Sequence, residues 1–130
     1  MDDIEIKKLL REASGLTLAY LGDSVWELFV RKFYVERSLN NKNLNRRVKA
    51  MVNARKQSSM YREILPGLDP EYKAYAKRGK NANIKSWPRS CSPLEYREAT
   101  GFEALIGGLY MNRNIPMIEE IIKKYAEEES

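Results

Sequence analysis

The chain has 130 residues, and 43% of them are hydrophobic, which is enough for one compact domain over residues 1–130 and too many for a disordered protein. It has 23 Lys and Arg against 18 Asp and Glu, and the net charge of +5 favours a polyanionic partner. Histidine is absent, and Cys91 is the single cysteine. This composition excludes Ser-His-Asp and Cys-His catalysis, histidine-ligated metals and an internal disulfide. We expect a cytoplasmic protein without a signal peptide or a membrane span.

Hydrophobic spacing predicts an all-α fold along the whole chain. The predicted helices cover residues 3–13, 16–37, 43–65, 70 to about 77, 94–112 and a last segment that begins near residue 114. Asp69 before Pro70 is typical of an N-cap followed by the first helical turn. Residues 78–93 contain two prolines and no sustained periodicity, and they are predicted to form a basic loop.

The predicted helix 16–37 carries Asp23 in the middle of an apolar segment. On a helix that turns about 100° per residue, one side is predicted to face the core, and it is formed by Leu18, Leu21, Val25 and Leu28. Large apolar side chains also lie towards Asp23, and we expect a second copy of the chain to cover them. These predicted dimer-interface residues are Trp26, Val30 and Phe33. The helix alone allows either a catalytic carboxylate or a solvated aspartate beside a dimer contact.

A second carboxylate, Glu103, lies in the predicted helix 94–112. The core stripe of this helix is predicted to contain Phe102, Leu105, Ile106 and Leu109. A face of small residues allows another backbone to approach closely, and it consists of Gly101, Ala104 and Gly108. Two carboxylates on two packed helices suit a hard cation such as Mg²⁺. Spacing alone does not establish that Asp23 and Glu103 meet.

Basic residues form two candidate RNA-binding regions. One is a helical stripe containing Lys42, Arg46 and Lys49 and continuing to Asn53 and Lys56, for which an ordinary solvated face is the alternative. The other is the loop with Arg78, Lys80, Lys85 and Arg89, for which a merely flexible loop is the alternative. Within that loop Trp87 either contacts RNA or anchors the loop to the core.

Two single residues have more local interpretations. Arg55 falls on the apolar side of the predicted helix 43–65, so it either pairs with a buried carboxylate or marks a bend. No cationic cluster or histidine lies beside Cys91 in the sequence, and we expect it to be structural.

Two motifs resemble the ribonuclease III catalytic domain: "YLGDSVWELFVRKFY" around Asp23 and "TGFEALIGGLY" around Glu103. Two acidic positions of that family are replaced here, one by Ala19 and one by Thr100. The segments "GLTLAYLGD", "KRGKNAN" and "YREATGFEALIGGLY" are similar to those of the Mini-ribonuclease III family, which has the catalytic fold without a double-stranded-RNA-binding domain.

This resemblance implies a ribonuclease III-like helical domain that acts as an Mg²⁺-dependent homodimeric endoribonuclease on structured RNA. It implies that the substrate is precursor 23S ribosomal RNA, trimmed at its 5′ and 3′ ends, and that Asp23 and Glu103 are the catalytic and metal-binding acids. The alternatives are an inactive RNA-binding module, favoured by Ala19 and Thr100, and a structural dimerisation protein. Cleavage sites, the number of metal ions and stimulation by a ribosomal protein stay open.

Overall fold

The computed structural model describes residues 1–37 and 41–128, and over these ranges it contains seven α-helices, one 3₁₀ turn and no strand. The predicted all-α fold is therefore confirmed. The helices are α1 (Asp3–Glu12), α2 (Gly15–Arg37), α3 (Asn41–Val52), α4 (Ala54–Ile64), α5 (Pro70–Lys80), α6 (Pro93–Met111) and α7 (Ile115–Glu128), with the 3₁₀ turn (Leu65–Gly67) after α4. In these ranges no helix is both long and apolar enough to cross a membrane.

The predicted helix 43–65 is wrong as a single element, because Asn53 divides it. The side-chain amide nitrogen of Asn53 donates to the carbonyl oxygen of Lys49 at 2.9 Å, and its amide oxygen accepts from the backbone N–H of Lys56 at 2.9 Å. One side chain thus ends α3 and caps α4, which a polar residue with local backbone partners can do. Arg55 marks this bend, as one of its two interpretations expected. Its exposed guanidinium lies 3.9 Å from a carboxylate oxygen of Glu95.

The connection between α5 and α6 is shorter than predicted. Pro70 occupies the first turn of α5 as expected, although the Asp69 side chain makes no capping hydrogen bond, and α5 continues to Lys80. α6 begins with a capping box in which Ser92 and Glu95 satisfy each other's backbone N–H groups. We call the segment between these helices, residues 81–92, the basic loop.

α6 is the central helix of the bundle and packs against α2, α4 and α5. Its predicted core stripe is confirmed, since Phe102, Leu105, Ile106 and Leu109 are at most 1% exposed. The small-residue face is also confirmed, because a methyl group at Gly101 would collide with the Tyr61 ring and one at Gly108 with the Tyr75 ring. Large aromatic side chains from α4 and α5 therefore fit directly against the α6 backbone.

The buried side of α2 agrees with the prediction only in part, since Leu18 and Val25 are buried as predicted. Leu28 is 63% exposed, whereas Trp26 and Val30 are 0% and Phe33 is 8% exposed. The buried arc is thus rotated by about 90° around the helix axis from the predicted one. Trp26 can be fully buried because its indole N–H donates to the Met51 carbonyl oxygen at 2.8 Å. The prediction that Trp26, Val30 and Phe33 form an exposed dimer interface is therefore wrong.

Candidate active site

The two acids meet where α2 crosses α6. At this crossing neither helix has room for a side chain, because a methyl group at Gly22 would collide with the Glu103 carbonyl oxygen and one at Gly107 with the Leu18 carbonyl oxygen. This close approach brings the carboxyl group of Asp23 to within side-chain hydrogen-bonding reach of the Glu103 carboxyl group. The expected proximity of the two carboxylates thus follows from two glycines that let the backbones touch.

Burial and the neighbouring acid together oppose ionisation of Glu103. Its side chain is partly buried between the helices, while Asp23 is exposed beside it. Burial first, and then the hydrogen bond and negative charge of Asp23, raise the pKa of Glu103 to about 9. Two carboxyl groups in contact need either a shared proton or a cation between them. The pair is therefore poised to exchange a proton for a bound metal ion.

The donor set fits a hard divalent cation. Carboxylate oxygens from two rigid helices are ligands that Mg²⁺ prefers, and Mg²⁺ usually retains waters and substrate phosphate oxygens as its other ligands. Within residues 1–37 and 41–128 no cluster of three or more His, Cys, Asp or Glu side chains has metal-binding geometry. Asp23 and Glu103 would hold the ion, and water and phosphate would complete its coordination.

The two positions at which this sequence departs from the ribonuclease III motifs provide no further carboxylate. Ala19, one turn before Asp23, is 6% exposed and packs in an apolar cluster with Leu10 of α1. Thr100, one turn before Glu103, is 5% exposed, and its hydroxyl donates to the Tyr96 carbonyl oxygen at 2.9 Å within α6. The Thr100 hydroxyl is thus occupied by its own helix.

The basic loop presents cationic and aromatic side chains to solvent. Lys85 and Arg89 are exposed, and Trp87 is 46% exposed, so Trp87 does not anchor the loop to the core. Lys80 precedes the loop with its ammonium group 5.8 Å from the centre of the Tyr61 ring. It lines a surface groove of about 350 Å³, which is also bordered by Arg97 of α6. Arg97 lies outside the segment that the sequence indicated.

The structure contains only part of the predicted basic stripe. Lys42, Arg46 and Lys49 are exposed on α3. Beyond them the stripe does not continue, because Asn53 caps α4 and the Lys56 ammonium group lies 5.4 Å from the centre of the Tyr125 ring.

Arg78 occupies a different position from the rest of the predicted RNA-binding set. One guanidinium nitrogen donates to the carbonyl oxygens of Leu10 and Ala13, at 2.7 and 2.8 Å, at the C-terminal end of α1. These bonds give Arg78 a structural role, which the sequence did not indicate.

Sequence reasoning missed a buried charge that orients α4 against α6. Glu98 is 4% exposed and accepts from Ser58 at 2.9 Å and from the Arg62 guanidinium at 2.7 Å. The signal was available, because Glu98 lies one turn before Phe102 and so shares the core side of α6. A carboxylate at such a position requires polar partners from a neighbouring helix.

Comparisons with known proteins agree with the fold. The family model described as "Ribonuclease III domain" matches residues 16–114, a range that contains both acids. The chain therefore belongs to the ribonuclease III domain family, and it is a ribonuclease III-type endoribonuclease. The resemblance in the two motifs is confirmed.

Relatives place the chain within that family in the Mini-ribonuclease 3 group. The chain is 52% identical to a "Mini-ribonuclease 3-like protein" from Ilyobacter polytropus, covering 92% of this chain and 94% of that one. It is 37% identical to a "Mini-ribonuclease 3" from Symbiobacterium thermophilum, covering 86% and 87%. A crystal structure of a Fusobacterium nucleatum protein superposes with a TM-score of 0.84 at 46% identity, covering 94% of this chain and 98% of that one.

Proposed function

We propose that the chain cleaves double-stranded regions of structured RNA with Mg²⁺ held between Asp23 and Glu103. The close approach of α2 and α6, which puts Asp23 beside Glu103, is the observation that carries this proposal. A divalent ion bound there supplies an activated water and neutralises charge on the phosphate. Hydrolysis then needs no histidine, in agreement with the composition.

The two acids have different parts in this proposal. Asp23 is exposed, so its carboxylate is reachable from the side on which RNA approaches. Glu103 is held by the α2–α6 contact and must lose its proton before it can act as a ligand. Because the burial that raises its pKa also limits its motion, Glu103 fixes the geometry of the site and Asp23 completes it.

We propose that cationic side chains on the surface bind the RNA backbone. Duplex RNA is recognised largely through its backbone and minor-groove shape. We propose that Lys85 and Arg89 of the basic loop, together with Lys80 just before it, contact phosphates, because the first two are exposed and Lys80 lines a surface groove. We propose a second contact region on α3, formed by the exposed side chains of Lys42, Arg46 and Lys49.

A homodimer is proposed through the outer face of α2, in place of the buried residues that the sequence indicated. Large apolar side chains remain exposed along one side of this helix: Leu16 at 47%, Tyr20 at 85%, Leu28 at 63% and Val35 at 56%. Viewed down the axis of α2, these four side chains and Asp23 together span about 140°, and Asp23 lies at one edge of this face. An isologous contact would cover the face and bring two acid pairs towards one RNA duplex.

The natural substrate is proposed to be precursor 23S ribosomal RNA in the cytoplasm, trimmed at both ends, with stimulation by a ribosomal protein as a further element of the proposal. The resemblance to the Mini-ribonuclease III family supports this choice.

One experiment tests the proposed chemistry. The protein is incubated with end-labelled duplex RNA in Mg²⁺, in EDTA and in EDTA followed by excess Mg²⁺. We expect cleavage in the first and third conditions only. Cleavage that persists in EDTA would contradict the role of the metal, and intact duplex in all three conditions would contradict the substrate class. A precursor 23S rRNA fragment, with and without ribosomal proteins, tests the substrate in the same assay.

A further inference from the structure

Arg78 lies where the end of α5 meets the end of α1 and the start of α2. Its guanidinium bonds to the carbonyl oxygens of Leu10 and Ala13 are short and charge-assisted. They satisfy carbonyl groups that the last turn of a helix leaves without partners. In the same place the Arg78 carbonyl group leaves no room for a side chain at Gly15, the first residue of α2.

The next residue carries this contact to the active-site helix. A methyl group at Gly79 would lie 2.5 Å from the Ala104 Cβ and 2.8 Å from the Thr100 carbonyl oxygen. These α6 positions lie on either side of Glu103. Residues 78–79 are therefore wedged between the start of α2 and the turn of α6 that holds Glu103. The side chain of Lys80 and the basic loop follow directly.

We infer that Arg78 is a positioning residue, which sets the distance and orientation between the acid pair and the basic loop. The inference rests on the proposed function, because it assigns these two regions to the metal ion and to RNA. Without the guanidinium, the α1–α2 connection loses its polar tie to α5. The end of α5 is then free to shift relative to Asp23 and Glu103.

Two control variants distinguish a positioning role of Arg78 from a general α1–α5 contact and from direct contact with phosphate. Lys7 also links α1 to α5 through a salt bridge to Glu71 at 3.0 Å, but both side chains are about half exposed. Lys7→Ala therefore tests whether any α1–α5 contact matters, and we expect it to behave like the wild type. Lys85→Ala removes an exposed loop cation and reports the signature of a lost phosphate contact.

Steady-state cleavage of duplex RNA and the salt dependence of binding distinguish these variants. For Arg78→Ala we expect kcat to fall about tenfold, since a shift of the order of 1 Å in a reacting group is costly. KM and the slope of binding against salt should stay near the wild-type values, because no phosphate contact is lost. Arg78→Lys retains a charged donor and should recover most of kcat. Lys85→Ala should raise KM and flatten the salt slope.

Amide hydrogen exchange of the RNA-free protein tests whether the Arg78 hydrogen bonds hold α5 against α1. In Arg78→Ala we expect the amides of Leu18, Asn81 and Ala82 to exchange about tenfold faster, and in Lys7→Ala we expect no change. Unchanged exchange in a folded Arg78→Ala protein would overturn the inference. A flattened salt slope with wild-type kcat would also overturn it, because Arg78 would then contact phosphate. If wild-type protein fails to cleave duplex RNA, the proposed function fails, while the exchange data still decide whether Arg78 holds α5.

Discussion

The α2–α6 crossing and the basic loop are built in opposite ways. At the crossing, glycines allow the two backbones to touch, and the acids are fixed on rigid helices with Glu103 partly buried. In the loop, cations and Trp87 point into solvent, with the buried Cys91 near its end. Chemistry at a phosphate demands fixed carboxylates, whereas electrostatic attraction to a polyanion tolerates movement. The comparison predicts that changes at the crossing alter catalysis and folding, and that changes in the loop alter affinity.

The largest effect is expected for Asp23→Asn. Asparagine keeps the size of the side chain but removes the charge that would hold Mg²⁺ beside Glu103. We expect cleavage of duplex RNA to fall by about 10³-fold or more, with a melting temperature close to the wild-type value because Asp23 is exposed. Single-turnover kinetics and circular-dichroism melting measure both quantities. Wild-type turnover in this variant would remove Asp23 from the mechanism.

Gly22→Ala tests the contact between the helices. The added methyl group would lie 2.7 Å from the Glu103 carbonyl carbon and 2.8 Å from the Gly107 nitrogen, so α2 must move away from α6. We expect the free energy of unfolding to drop by about 3 kcal/mol in urea titrations. Gly67→Ala is the matched control, because nothing lies within 4 Å of its new methyl group. Equal stability of the two variants would argue against close packing at the crossing.

Glu103→Gln tests the electrostatics of the acid pair through pH. Because the folded-state pKa of Glu103 is raised to about 9, the metal-free folded protein binds a proton that the unfolded chain releases above about pH 4.5. The contribution of Glu103 to stability is therefore full below that pH and is lost as the pH rises towards 9. In EDTA at pH 8, Glu103→Gln should melt higher than the wild type, and the difference should shrink towards pH 5. Parallel pH profiles for the two proteins would contradict this account.

Leu28→Glu and Val30→Glu compare the two sides of α2. Leu28 is 63% exposed and Val30 is 0% exposed. We expect Leu28→Glu to fold but to weaken the proposed dimer by about a hundredfold, since like charges meet across a two-fold contact. Val30→Glu should instead unfold the domain, because it buries an unpaired charge. Light scattering across a dilution series measures the assembly, and a monomeric wild type that cleaves duplex RNA would refute the dimer.

The smallest effect is expected for the cations of the basic loop and for Lys80, which precedes it. Replacing Lys80, Lys85 and Arg89 together by alanine should raise the Kd for duplex RNA about tenfold near physiological salt and flatten its salt dependence, because fewer counterions are released. The rate of single-turnover cleavage at saturating RNA should stay near the wild-type value. Fluorescence anisotropy at several salt concentrations measures the slope. If the cleavage rate at saturating RNA fell while the Kd stayed unchanged, these cations would act in catalysis and not in RNA affinity.

Local patterns in the sequence identify most of this fold, and contacts between helices account for what they miss. Periodicity locates the helices and the core stripe of α6, because these depend on neighbours along the same helix. It misplaces part of the core side of α2, since the burial of Trp26 depends on a carbonyl group at the end of α3. It also misses the structural role of Arg78, because a charge in a basic segment does not reveal the carbonyl oxygens of α1. Asp23 and Glu103 are found as separate motifs, and only the packing of Gly22 and Gly107 brings them together.

The most direct test of the paired-acid site is the titration of the Glu103 side-chain carboxyl group by ¹³C NMR, with and without Mg²⁺. Asp23→Asn protein provides the comparison, because it retains Glu103 but removes the second ligand. We expect metal-free Glu103 to titrate near pH 9, Mg²⁺ to lower this pKa markedly in the wild type, and the Mg²⁺ effect to be largely lost in Asp23→Asn. A Glu103 that titrates near 4.5 and does not respond to Mg²⁺ would show that the two acids do not form a metal-binding pair.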